Sequence, residues 1–212
     1  MTERRPIASR NTKLAAKIAR RLAARGVSPN RISRASIVFA GMAGIAFWLS
    51  GMTSGVLFGL CLMTAALGCQ LRLLCNLFDG MVAVEGGRGE PDGPFWNEAP
   101  DRVADTLIFV GMGAATGAWA LGWAAAAMAI GTAYIRGLGS EIGVPADFGG
   151  PMAKPQRMAL ATGSAVAAIF FPAPLGWPLL ELALWGIVFG AALTIVLRSG
   201  RLIGALKARA RD

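Results

Sequence analysis

Four oxygen-bearing side chains stand in an otherwise apolar region: Asn76, Asp79, Asp101 and Asp105. Asn76 and Asp79 are three residues apart and Asp101 and Asp105 four apart, so each pair shares one face of a helix. Asn97 lies four residues before Asp101, on that same face. If the intervening loop folds the two helices antiparallel, these groups converge at one end of a bundle. An ionisable residue inside a membrane span costs about 2.5–3.5 kcal/mol on insertion scales, so three of them call for a function. Like charges packed together repel unless cations neutralise them, and carboxylate and amide oxygens suit hard divalent ions such as magnesium or manganese. Two other uses stay open at this point: structural ion pairs with nearby Arg72 and Arg102, or a cation or proton path. For a path, the carboxylates are one-sided, with none midway across the membrane to continue it.

The elements that carry these residues follow from composition. The chain is 55% apolar with only one Tyr and no His, its mean hydropathy is +0.54, and apolar runs of about 20 residues recur along its length, each matching a bilayer core. This predicts an all-α polytopic membrane protein. The 21 basic and 12 acidic residues give a net charge of +9, but the basic residues sit between and outside the apolar runs, as topology signals and lipid-headgroup contacts do. No nucleic-acid motif is present, and no nucleic-acid partner is expected. Cys61, Cys69 and Cys75 all fall in one expected helix and read as packing residues; with no His and no close Cys-x-x-Cys, zinc chemistry and Cys/His or Ser/His nucleophilic catalysis are all but excluded. Nothing at the amino terminus resembles a cleaved signal.

In chain order, residues 10–26 place Leu14, Ile18 and Leu22 on one stripe among Lys13, Lys17, Arg20, Arg21 and Arg25. This reads as a basic amphipathic helix in the membrane interface. Ser28-Pro29-Asn30 breaks it, with Ser33 or a neighbour expected to cap the next helix. Six transmembrane spans are expected at 32–52, 55–83, 99–120, 122–142, 157–172 and 178–198. The organisation is thus a cytoplasmic interfacial segment (1–31), a six-helix membrane catalytic domain (32–198) and a basic tail (199–212). The links at 51–54, around Gly122 and at 171–177 contain no Lys or Arg, whereas the first 34 residues hold ten. Both termini and both long loops are therefore expected to be cytoplasmic, in a multi-pass protein of the cell (inner) membrane.

Around the carboxylates, Gly80 follows Asp79 and Ala83 lies one turn later on nearly the same side, so a phosphate or nucleotide could approach the helix closely there. Lys154 and Arg157, just before the fifth span, and Arg136, at the end of the fourth, are possible contacts for an acidic acceptor or a lipid phosphate; the alternative is that they only set topology. Glu98 and Glu85 read as loop solvation or local pairing.

The run Asn76-x2-Asp79-Gly80-x2-Ala83, continuing to Asn97-x3-Asp101-x3-Asp105, resembles the signature of the CDP-alcohol phosphotransferases, D-x2-D-G-x2-A-R-x8-G-x3-D-x3-D. The resemblance extends to an interfacial amino-terminal helix and six spans. Asn76 stands in place of the first Asp, Val84 in place of the Arg and Asn97 in place of the second Gly. Asp79 and Asp101 are 22 positions apart against 18 in the pattern, which places four added residues within 86–94. An Asn can supply a carbonyl oxygen to a metal but brings one negative charge fewer.

The resemblance implies a phospholipid-biosynthetic transferase, in which a CDP-linked donor, CDP-diacylglycerol first, gives its phosphatidyl or phosphoalcohol group to an acceptor hydroxyl and releases CMP. Carried over by position, it implies Mg2+ or Mn2+ among Asn76, Asp79, Asp101 and Asp105, with Asp105 as general base. It further implies Gly80, Ala83 and Asn97 at the CDP moiety, and a homodimer. A non-catalytic member of the same fold, or a small transporter, is the alternative.

Overall fold

The computed structural model describes residues 12–85 and 90–211, and they are helical throughout apart from short links. Helix α1 (Lys13–Ala24) is capped by Thr12, whose Oγ1 accepts from the Ala15 amide at 3.3 Å. Helix α2 (Pro29–Ser50) is capped by Ser28, which accepts from the Arg31 amide at 3.3 Å, with Pro29 in the first turn. The expected cap at Ser33 is thus one turn too late: proline is preorganised for the first helical position, and the residue before it becomes the cap. Next come α3 (Gly55–Glu85), α4 (Gly93–Ala115), α5 (Trp119–Glu141), α6 (Lys154–Phe170) and α7 (Leu179–Arg209).

These match the six expected runs in order, with differences at the ends. Helix α4 begins at Gly93, well before residue 99, because Pro94 suits a helix start and Glu98 pairs with Arg102 one turn on. Its link to α5 falls at 116–118, where Gly117 adopts φ +76°, rather than around Gly122. Helix α7 runs to Arg209, so most of the basic tail is helical. Three helical stretches, Pro29–Ser50, Gly55–Val84 and Leu179–Arg209, are long and apolar enough to cross a membrane. Large apolar side chains are exposed along them, among them Val38 at 71%, Val56 at 82% and Val196 at 66%, an outer surface that fits a membrane protein.

The packing closes a ring in the order α2, α3, α6, α7, α5, α4 and back to α2. Its centre is filled mostly by alanines with a few larger residues, Phe47, Leu62, Ile108, Phe109, Met112 and Ile187 among them. Helix α1 lies outside the ring on α3, with Ala15 and Ala19 buried beside Met81 and Val82 while Leu14 stays exposed.

The α2–α4 contact is the tightest seam. A Cβ on Gly44 would lie 2.3 Å from the Leu107 carbonyl oxygen, and one on Gly111 would lie 2.3 Å from that of Gly44. Only glycine allows these backbones to meet, as in close helix pairs in lipid. Gly111→Val is therefore expected to push α4 off α2 and cost about 1–3 kcal/mol, read as a lower unfolding midpoint of the purified protein in detergent. An unchanged midpoint would show that the seam is not needed.

Candidate functional site

At one end of the ring, the last turns of α3 face the first turns of α4, with the starts of α2 and α6 closing the sides. Asn76 and Asp79 of α3 are joined by Arg72, one turn before Asn76. Arg72, Asn76 and Asp79 are spaced four and three apart, so one face of α3 carries a cation, an amide and a carboxylate. From α4 come Asp101 and Asp105, both buried, and from α6 come Lys154 and Arg157.

The contacts between them are specific. The Asn76 amide donates to Asp101 Oδ1 at 2.9 Å. Lys154 Nζ lies 2.5 Å from Asn76 Oδ1 and 2.5 Å from Asp101 Oδ2, bridging α3 and α4. Arg72, with no exposed surface, donates to Asp105 Oδ1 at 2.7 Å and lies 3.3 Å from Asp101 Oδ1. Arg157 takes the other Asp105 oxygen at 2.9 Å and also donates to Thr132 Oγ1 and the Met152 carbonyl. Asp79 accepts from Ser33 Oγ at 2.7 Å and from the Gly80 amide at 2.5 Å. Ser33 is thus a site residue and not a cap.

Not every residue singled out from the sequence joins this cluster. Arg136 is engaged by Glu98, donating to its two oxygens at 2.7 and 2.6 Å, and its guanidinium sits 5.3 Å from the Phe148 ring centroid. Arg102 also pairs with Glu98 and not with the aspartates, so Glu98 takes part in local pairing as expected. Asn97 is exposed, Ala83 is half-buried and Val84 is 56% exposed. Of the stretch 86–94 expected to hold the added residues, 86–89, with Arg88, lie outside the described residues. At the mouth, Asn30 of α2 donates to Asp92 at 2.8 Å, and Asp92 also accepts from the Trp96 indole, tying the start of α4 to α2.

Sequence reasoning passed over Thr132, gave Ser33 only as a cap and gave Arg72 only an alternative role. For Arg72 the signal was available, as a cation on the same helical face as Asn76 and Asp79. For Ser33 and Thr132 it was not, because a hydroxyl in an apolar helix usually bonds its own backbone.

As placed, the oxygens expected to hold a divalent ion are already engaged by other groups of the chain. The two Asp105 oxygens are held by guanidinium groups, the two Asp79 oxygens by Ser33 and Gly80, and the facing oxygens of Asn76 and Asp101 by Lys154. Among the described residues no group of three or more His, Cys, Asp or Glu side chains is placed to hold a metal.

No protein-family model and no curated protein matches the chain. Solved structures do. The phosphatidylinositol phosphate synthase (PgsA1) of Mycobacterium tuberculosis with CDP-DAG bound superposes with a TM-score of 0.73 at 19% identity, over 90% of this chain and 94% of that one. This chain has the fold of that synthase. Its complex with manganese and citrate gives a TM-score of 0.72 at 20% identity, covering 89% and 88% of the two chains. The apo form gives 0.69 at 21%, covering 87% and 93%. Likeness at this identity is of fold.

Proposed function

We propose that this chain is an integral-membrane phosphotransferase of the CDP-alcohol type. It would move a phosphatidyl or phosphoalcohol group from a CDP-linked donor, CDP-diacylglycerol first, to an acceptor hydroxyl. The observation that carries this reading is the convergence of Asn76 and the Asp101–Asp105 face at one end of the ring, in a fold whose solved example binds CDP-DAG. In the reaction, the acceptor oxygen forms a bond to the β-phosphorus, the phosphoanhydride P–O bond breaks, and CMP leaves with the electron pair. A carboxylate takes the acceptor proton; Asp105 is the proposed base. Lys154, Arg157 and Arg72 supply positive charge for the developing phosphate oxyanion. Gly80, Ala83 and Asn97 line the approach of the nucleotide, and Arg136, with Lys154 and Arg157, that of the acceptor.

All six ring helices would lie in the membrane, with α1 in the interface, both termini and the cluster cytoplasmic, and two copies forming a dimer. An apolar groove between α1, α2 and α3, lined by Leu22, Val27, Phe39, Leu71, Leu74 and Phe78, begins one residue from Asp79 and suits an acyl chain. The direct test incubates purified protein with radiolabelled CDP-diacylglycerol and a panel of hydroxyl acceptors. Release of CMP together with a new lipid is expected; neither product with any acceptor would reject the reading.

A second reading is favoured by one observation: every carboxylate of the cluster is already hydrogen-bonded or ion-paired within the chain. In it, the protein binds lipid or nucleotide without turnover. Asn76→Asp with Val84→Arg separates the two. A wild-type rate of CMP release supports the transferase, whereas turnover that appears only in the double variant supports the non-catalytic protein.

A further inference from the structure

We infer that Lys154 is the resident cation of the Asn76–Asp101 seat, and that it and a divalent ion exclude one another there. Asp79, Asp101 and Asp105 bring three negative charges, and Arg72, Lys154 and Arg157 bring three positive ones, so the cluster is neutral from side chains alone. An Asp at position 76 would leave it one charge negative; Asn76 sets the balance at zero. Adding a divalent ion would leave two uncompensated positive charges among buried groups, where poor screening makes like-charge repulsion costly.

Geometry says the same. Lys154 Nζ sits within 2.5 Å of one oxygen from each helix, where a bridging ion would have to sit. It is held there by the start of α6, a third element with its own packing, since Arg157 one turn on is anchored to Thr132, Met152 and Asp105. Lys154 thus reaches the seat from a third helix, not from either helix that supplies the oxygens. Resting on the reading of this cluster as the nucleotide site, the ammonium takes over the charge-neutralising role that the family pattern gives to a metal. A diphosphate donor would then meet lysine and arginine rather than a metal ion.

The test is a manganese titration of the purified full chain in detergent, following the paramagnetic resonance signal of free Mn2+. Wild type is expected to show no saturable site up to about 1 mM. Lys154→Met should create one site per chain with affinity raised about tenfold or more, and Lys154→Arg, which keeps the charge, should behave as wild type. Adding Asn76→Asp to Lys154→Met should tighten the site further. Saturation of wild type at micromolar Mn2+ overturns the inference, as does Lys154→Met binding no better than wild type. If Lys154→Met fails to give monodisperse protein, the wild-type titration decides alone. CMP release from the same preparations is scored separately. Its absence with the expected manganese pattern rejects the transferase and leaves the lysine assignment, whereas tight wild-type manganese binding with CMP release does the reverse.

Discussion

Asp101→Ala and Asp105→Asn are each expected to lower CMP release from CDP-diacylglycerol by about 10²–10⁴-fold, the range that a positioned acid or base contributes. The reasons differ. Asp101 is the anion that holds Lys154 against Asn76, at 2.5 Å on one side, and lies 3.3 Å from Arg72 on the other. Without it the ammonium loses its fixed position beside the reacting phosphate, so electrostatic preorganisation is lost. Asp105→Asn keeps nearly the same shape and one carbonyl acceptor, so either Arg72 or Arg157 can still be bonded, but the group can no longer accept a proton. Initial rates on monodisperse protein, compared with wild type in the same detergent, are the measurement. Residual activity within a few-fold of wild type in both variants would remove the aspartates from the chemistry.

Arg72→Met is expected to cost about 1–3 kcal/mol of folding stability, because the Asp105 and Asp101 oxygens that it faces lose a buried donor while Asp105 keeps Arg157 and Asp101 keeps Lys154. Arg72 is fully buried, and Asp101 and Asp105 are 9% and 3% exposed, so little solvent is present to screen the loss. Among the described residues its Nε and Nη1 have no hydrogen-bond partner, so the contacts described for Arg72 run through one nitrogen. The double variant Arg72→Met/Asp105→Asn should recover part of the loss, since it restores the charge balance of the cluster and leaves Arg157 an amide oxygen to bond. Unfolding midpoints of the four proteins in the cycle give the coupling directly. A single variant that unfolds with wild type, or a double variant no better than the single, would show that the pair is not coupled.

The two expectations share a physical origin in charge placed where water is scarce. Gly44 and Gly111 let α4, which carries Asp101 and Asp105, press closely on α2. Loosening that seam would therefore weaken the cluster as well as the bundle, which places the Gly111→Val prediction upstream of both.

What the sequence determined by itself is what depends on local pattern. Runs of apolar residues set six ring helices in the right order, and the spacings 76–79 and 101–105 set which side chains share a face. Both survive because hydropathy and a 3.6-residue period are read within one helix. Helix ends were less legible: Ser28, Gly93 and Gly117 were displaced from the expected boundaries by proline and glycine effects confined to a turn.

Only the tertiary structure decided which cation meets which carboxylate. Asp105 is paired with Arg157, 52 residues away, and Asn76 with Lys154, 78 away, while the nearby Arg102 turns to Glu98. Those pairings follow from the ring order α2, α3, α6, α7, α5, α4 and from the rotation of each helix about its axis, both fixed by contacts between small residues on different helices. A carboxylate in an apolar helix announces that a counter-charge is needed; which one arrives is settled by the packing.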